Sequence, residues 1–333
     1  MRVSLALGIS LGLGLMLALG GYYGFGEIAN GIRAAGWGVL AVIAFHPLQM
    51  IFSALGWQVL LEPHLAPRLV VLIGLRWIRE AVNNLLPVAQ IGGEVVAARL
   101  LRHNGVPLAA GGASVTVDLT MELVSQIIFT LLGLALLIPG LHEPRVVSWT
   151  IGILALAGAA VFLFIAAQRF GLFHLLERGL VRLAERGSAW SSLGEVAGLH
   201  RAIVALYAAP ARLGWSFGCH LISWLLGGLE VMIGLHFVGA SVDFREALVI
   251  ESLGQAARAM GFAIPASLGV QEGGYVLVCA LFGVSPQAAI ELSLLKRIRE
   301  VALGVPALIM WQVVEARRLV GHAVAEVRTP AGD

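Results

Sequence analysis

The chain has 333 residues, of which 59% are hydrophobic and 13% charged, with a mean hydropathy of +0.89 and a formal net charge of +2. Such values lie far outside those of water-soluble domains and describe an integral membrane protein, long enough for six to eight spans of roughly 20 residues each. No nucleic-acid partner is expected, and Cys219 and Cys279, both within apolar segments, lack metal-type spacing, so neither a disulfide framework nor a metal or other cofactor is expected.

In chain order, apolar runs bounded by charge, Pro or Gly predict spans at about 3–24, 37–61, 109–138, 146–168, 212–238 and 287–314. The first follows Arg2 and has some features of a signal peptide, but its apolar run is long and no small-x-small cleavage site closes it. It reads as an uncleaved first helix. Two more stretches, 69–103 and 247–281, are apolar on average but interrupted by NNLLPVAQIGGE and GFAIPASLGVQEGG. Proline cannot sustain the helical hydrogen-bond ladder, and unpaired backbone at membrane depth is tolerated only where protein or a wet cavity surrounds it. Each stretch is therefore expected to enter, break and return to its own side as a re-entrant hairpin. Pro87, Gly92 and Gly93 form the first break, and Pro265, Gly269, Gly273 and Gly274 the second.

The two breaks share a register. Pro87 to Glu94 has the spacing of Pro265 to Glu272, 178 residues on, and the same offset aligns Gly105-Val106 with Gly283-Val284, Glu122 with Glu300, and Gly36-Trp37 with Gly214-Trp215. A duplicated unit is the simplest explanation, with one copy at about 36–138 and the other at about 214–316. The span at 146–168 has no counterpart and supplies the odd crossing that inverts the second copy. Arginine placement agrees. If 169–212 is cytoplasmic and both hairpins are re-entrant, thirteen basic residues fall inside and three (Arg33, Arg145, Arg245) outside, the other six (Arg76, Arg79, Arg258, Lys296, Arg297, Arg299) belonging to the hairpins or the last span. The expected fold is thus an all-α polytopic membrane protein, a single transmembrane domain over 1–333 with two inverted repeats, about six transmembrane helices and two re-entrant helical hairpins. Both termini are expected in the cytoplasm.

Charge inside such segments marks candidate function, because an ion at bilayer centre costs roughly 2.5–3.5 kcal/mol on insertion scales and so tends to face partners or water. Arg76, Arg79, Glu80 and Asn83 lie at i, i+3, i+4, i+7 on one helical face, with Asn84 beside it, and Glu251, Gln255 and Arg258 repeat the stripe in the second hairpin. Asp118, Glu122 and Gln126 mark one long span, and Lys296, Arg297 and Glu300 its repeat mate. Glu94 and Glu272, each following a Gly-containing break, are the sharpest candidates. Desolvation favours the protonated form of a carboxylate unless a cation is near, which suits proton carriage, whereas a glutamate at a helix start also caps it. The complementary stripes further suggest that Asp118 or Glu122 pairs with Lys296, Arg297 or Arg299 across the repeats. No HExxH or HxxxH, Walker, GxGxxG or nucleophile-elbow pattern is present, so the chain is not expected to be an enzyme.

The stretch RWIREAVNNLLPVAQIGGEVVAARLL, followed by VDLTMELVSQ and, in the second half, IPASLGVQEGG, resembles the transmembrane flippase-type region of lysylphosphatidylglycerol synthases and their stand-alone relatives. It looks closest to the branch associated with bacterial hopanoid biosynthesis. The full synthases carry a soluble aminoacyl-transferase domain after this region; here the chain stops at Asp333, so tRNA-dependent lipid modification is not carried over. The resemblance implies lipid movement in the bacterial inner membrane. A hopanoid or other amphipathic lipid would be the cargo, proton-coupled transport the mode, and hopanoid biosynthesis or transport proteins the partners. Enzymatic modification of a lipid headgroup, alone or with a partner enzyme, is the alternative.

Overall fold

A computed structural model describes residues 35–86, 92–137, 198–260 and 269–328, with side chains to 317, and isolated positions at 26, 33, 163, 166 and 267. The expected span at 3–24, that at 146–168 apart from positions 163 and 166, Pro87 and Pro265 lie outside these described residues.

Among the described residues the chain is all helical: α1 Gly38–Gln58, α2 Leu69–Leu85, α3 Gly92–His103, α4 Leu108–Leu137, α5 Leu199–Tyr207, α6 Pro210–Phe237, α7 Phe244–Met260, α8 Val270–Ala280 and α9 Pro286–Arg328. Three of them, α1, α4 and α6, are long and apolar enough to cross a membrane. The segment expected as a span at 287–314 is helical throughout, within α9, but Glu291, Lys296, Arg297, Arg299 and Glu300 fall close together there, and it is not among the apolar three. Proline at the first position of α6 needs no helical N–H partner. At about 1.5 Å per residue, the 12 residues of α3 and 11 of α8 reach only ~17–18 Å, well short of the hydrocarbon core.

The 178-residue offset holds down to individual hydrogen bonds. Helices α3 and α4 begin at Gly92 and Leu108, and α8 and α9 at Val270 and Pro286, the same distance on. Gly105 and Gly283 both adopt left-handed backbone, with φ of 88° and 70°. The Val106 N–H donates to the Leu101 carbonyl at 3.2 Å and the Val284 N–H to the Cys279 carbonyl at 3.2 Å. These are the same glycine-terminated helix end, in which a residue without Cβ turns the chain and the next apolar residue tucks in. Packing follows the same exchange. In one unit α2 packs on α1 and α3, and α3 on α4; in the other α7 packs on α6 and α8, and α8 on α9. Between them α1 lies along α6, α2 against α9, and α4 against α7. Gly56 lets α1 approach α6 closely, its missing Cβ facing the Ser216 carbonyl at 3.1 Å, in the manner of membrane helices that pack through small residues. Helix α5 rests on α4 and α6.

Three apolar clusters fill the interior. Trp57, Leu72, Ile78, Leu100 and Leu101 centre the first unit, Val231, Leu235, Ile250, Tyr275 and Leu292 the second, and Leu60, Val117 and Ile203 the contact with α5.

Candidate functional site

A cavity of about 340 Å³ lies between the two units, and its wall is unusually polar for a membrane interior. Helix α1 contributes His46, Gln49 and Ser53; α2 contributes Arg76, Arg79, Glu80, Asn83 and Asn84; α3 contributes Glu94, and α4 Glu122 and Gln126. From the second unit come His220, Ser223 and Trp224 of α6, Glu251, Gln255 and Arg258 of α7, and Arg299 and Glu300 of α9. Of the charged and amide residues singled out from the sequence, Arg76, Arg79, Glu80, Asn83, Asn84, Glu94, Glu122, Gln126, Glu251, Gln255, Arg258 and Glu300 meet here. Asp118 lies directly behind the wall, fully buried, while Glu272 and Arg297 lie away from it.

In the first unit the i, i+3 spacing of Arg76 and Arg79 aims both guanidinium groups at α4. Arg76 grips Glu122 through two parallel bonds, Nη1 to Oε2 at 2.9 Å and Nη2 to Oε1 at 2.5 Å. Arg79 divides its donors three ways: Nη1 to Asp118 at 2.5 Å, Nε to Glu94 at 3.0 Å and Nη2 to Glu122 at 3.2 Å. Its guanidinium also lies 6.0 Å from the ring centroid of Trp57. Asn83 joins α2 to α3. Its Nδ2 donates to Glu94 at 3.2 Å and its Oδ1 accepts the Gly93 N–H at 2.8 Å, satisfying an amide at the start of α3. Gly93 leaves room for this, since a Cβ there would stand 2.4 Å from the Arg79 carbonyl.

The second unit uses the same chemistry from different positions. Arg258 of α7 pairs with Glu300 and also donates to Asn84 at 3.1 Å. Lys296 donates to Glu251 at 2.6 Å, Arg299 pairs with Glu230, and Tyr275 donates to Glu251 at 2.9 Å. Glu272 accepts the Gly269 N–H at 2.6 Å and so caps α8, with Ser293 and Arg297 on its other oxygen at 3.2 and 3.4 Å. Of the remaining break residues, Gly92 opens α3, and Gly274 sits in α8 against Ala257, where a Cβ would meet Ala257 Cβ at 2.5 Å; Gly273 has open space around it.

The expected pairing of Asp118 or Glu122 with Lys296, Arg297 or Arg299 does not occur. Those acids are taken by Arg76 and Arg79 of their own unit, and the basic residues of α9 by Glu230, Glu251, Glu272 and Glu300 of theirs. Matching positions along the sequence therefore do not make these residues contacts.

Sequence reasoning missed His46, His220 and Glu230. Glu230 sits in an apolar helix and gathers Arg299, the Gln49 amide at 2.6 Å and His46 Nδ1 at 3.3 Å. His46 Nε2 lies 2.7 Å from Glu80, and His220 Nε2 lies 2.8 Å from Asp118. Each is a lone polar residue in a long apolar run, so no periodic stripe announces it; insertion cost alone was the available signal. Among the described residues no three His, Cys, Asp or Glu side chains are grouped to hold a metal ion.

No curated protein and no solved structure matches the chain significantly. The sequence model of one family, the lysylphosphatidylglycerol synthase transmembrane region, matches residues 3–307, which takes in α1 to α8, α9 as far as Ala307 and every residue of the cavity wall. A membrane protein linked to lipid handling is what that match supports, in keeping with the apolar helices and the polar chamber between them. The chain belongs to the family of the lysylphosphatidylglycerol synthase transmembrane region.

Proposed function

We propose that this protein is a lipid transporter of the bacterial inner membrane rather than an enzyme, built of two inverted repeats with re-entrant hairpins and with both termini in the cytoplasm. One observation carries the reading: a chamber of about 340 Å³, walled by charge from both units, set among helices apolar enough to cross a membrane. A lipid headgroup is the polar cargo that such a chamber suits, because its chain can remain against the apolar helix faces while the headgroup exchanges water for arginines, carboxylates and amides. The shortness of α3 and α8 supports their assignment as re-entrant helices, and the matching helix ends support the repeat. Movement then follows from rocking of one unit against the other, opening the chamber to each side in turn. The cargo is an amphipathic lipid, with a hopanoid favoured by the sequence resemblance, and proteins of hopanoid synthesis or transport are the partners.

Headgroup chemistry by these residues is the weaker reading. Glu94, Asp118, Glu122 and Glu272 are each held by an arginine, and a carboxylate so engaged is not poised to shuttle protons to a substrate. The test is reconstitution of this protein alone in vesicles carrying a headgroup-labelled lipid in one leaflet. Movement to the other leaflet supports transport; chemical conversion of the headgroup without movement supports the enzyme.

A further inference from the structure

The buried ion pairs divide by side-chain type. Among the described residues, every buried pair made by arginine or lysine joins residues of one unit: Arg76 and Arg79 with Glu94, Asp118 and Glu122, or Arg258, Lys296, Arg297 and Arg299 with Glu230, Glu251, Glu272 and Glu300. Arg99 with Glu315 crosses between units, but at the exposed periphery. The buried contacts of carboxylate with a basic group that cross the interface are made by histidine: His46 of α1 with Glu230 of α6, and His220 of α6 with Asp118 of α4. Buried ion pairs of arginine and lysine lie within each unit, and the buried carboxylate–base contacts between units are made by histidine.

The two histidines differ in what a proton does. His220 meets Asp118 through Nε2 alone, a contact that a single N–H maintains. His46 has a carboxylate on both ring nitrogens, Glu80 at 2.7 Å on Nε2 and Glu230 at 3.3 Å on Nδ1. Only the imidazolium has two N–H groups. The neutral ring keeps one, satisfies the shorter contact to Glu80 within its own unit, and turns a lone pair toward Glu230 across the interface. Loss of one proton thus changes the inter-unit contact from attractive to repulsive. Charge balance agrees: the second-unit cluster of Glu230, Glu251, Glu272 and Glu300 against Arg258, Lys296, Arg297 and Arg299 is neutral by itself, and the direct ion-pair contact of Glu80 is with His46, with Arg76 and Arg299 acting on it from farther away. The charged groups around His46 are Glu80 of α2, Glu230 of α6, and Arg299 and Glu300 of α9, and its ring lies on the chamber wall, where water can deliver and remove a proton.

We infer that His46 is a proton-binding site that latches the two units: protonated, it bridges Glu80 and Glu230 and holds the interface closed, and its release of the proton frees the units to move. The inference rests on the transport reading for its use, making the proton the coupling ion, but the latch itself is testable without lipid movement. Histidine is the side chain whose ordinary titration falls between about pH 5 and 8. The experiment places spin labels at the exposed positions Val95 of α3 and Leu277 of α8, in full-length protein lacking Cys219 and Cys279 and reconstituted in lipid, and measures the distance distribution across that range. A single population at the acid end, joined by a second as pH rises, is expected. His46→Gln, which never carries charge, should show both populations throughout, and His46→Lys, which stays charged, only the first. An unchanging wild-type distribution, or a His46→Gln protein that follows pH as the wild type does, overturns the latch. Because wild type and His46→Gln decide the matter, failure of the lysine variant to fold does not protect it. If wild-type vesicles move no lipid while the pH-dependent population persists, the transport reading fails and the latch stands.

Discussion

Arg79 and Asp118 form an ion pair at 2.5 Å in which neither side chain retains appreciable contact with solvent, 2% for the arginine and none for the aspartate. The arginine comes from α2 and the aspartate from α4, so the pair ties these two helices together behind the chamber wall. Taking such ions out of water is costly, and the arrangement persists because Glu94, Glu122 and His220 complete the hydrogen bonding on both sides.

Removal of one member alone should therefore harm the protein more than removal of both. Arg79→Met takes the arginine from Glu94 and leaves Asp118 and Glu122 to share Arg76, and is expected to cost roughly 3–5 kcal/mol. Arg79→Met with Asp118→Asn should recover part of that loss. Thermal unfolding of the detergent-solubilised protein, single variants beside the double, measures the coupling; strictly additive losses would show that the two groups do not act together.

Gly93→Ala is expected to destabilise by about 1–3 kcal/mol, because the new methyl would stand 2.4 Å from the Arg79 carbonyl and force α2 and α3 apart. Gly273→Ala, with open space around it in a helix, should be neutral or slightly stabilising. Melting temperatures of the two variants provide the comparison, and equal losses would contradict the close packing assigned to Gly93.

Glu94 and Glu272 should separate in their effects despite their equivalent sequence positions. Glu94→Gln weakens a charge-assisted bond to Arg79 at the chamber wall, worth about 1.5–3 kcal/mol, or roughly ten- to a hundredfold if felt at the transport step. Glu272→Gln should mainly cost stability, since that side chain caps α8 away from the chamber, and transport per folded molecule should be retained. Initial transport rates normalised to folded protein decide it. Equal loss in both variants would place Glu272 on the transport path.

How much of this was legible in the sequence depended on periodicity and register. The Arg76, Arg79, Glu80 and Asn83 stripe lies on the chamber because a helix aligns i, i+3, i+4 and i+7, and the offset between Gly105 and Gly283 reappears in their helix ends because the same local sequence folds the same way. Partner choice was not legible. Asp118 could be matched to Lys296 by position, yet Lys296 turns to Glu251 while Asp118 takes Arg79, a choice set by helix packing that a single sequence does not encode locally. His46, His220 and Glu230 stand alone in apolar helices, and their convergence depends on how α1 crosses α6.

The side on which each loop lies follows from the re-entrant assignment. Single cysteines introduced at Glu62 and Asn104, in protein lacking Cys219 and Cys279, should both react with a membrane-impermeant thiol reagent from the cytoplasmic face, as should one at Arg201. Labelling of the first two from opposite faces would mean that α2 and α3 together cross the membrane.

The central claim, that a lipid headgroup passes through the chamber between the units, is tested most directly by lipid movement in vesicles containing wild-type protein or Gln126→Trp. Gln126 lines the chamber, and an indole there would occupy the space that a headgroup needs. Faster movement of labelled lipid between leaflets is expected with wild-type protein than in protein-free vesicles, and a return to the protein-free rate in Gln126→Trp with its melting temperature preserved. Wild-type vesicles no faster than protein-free ones, or a folded Gln126→Trp as active as the wild type, would contradict that claim.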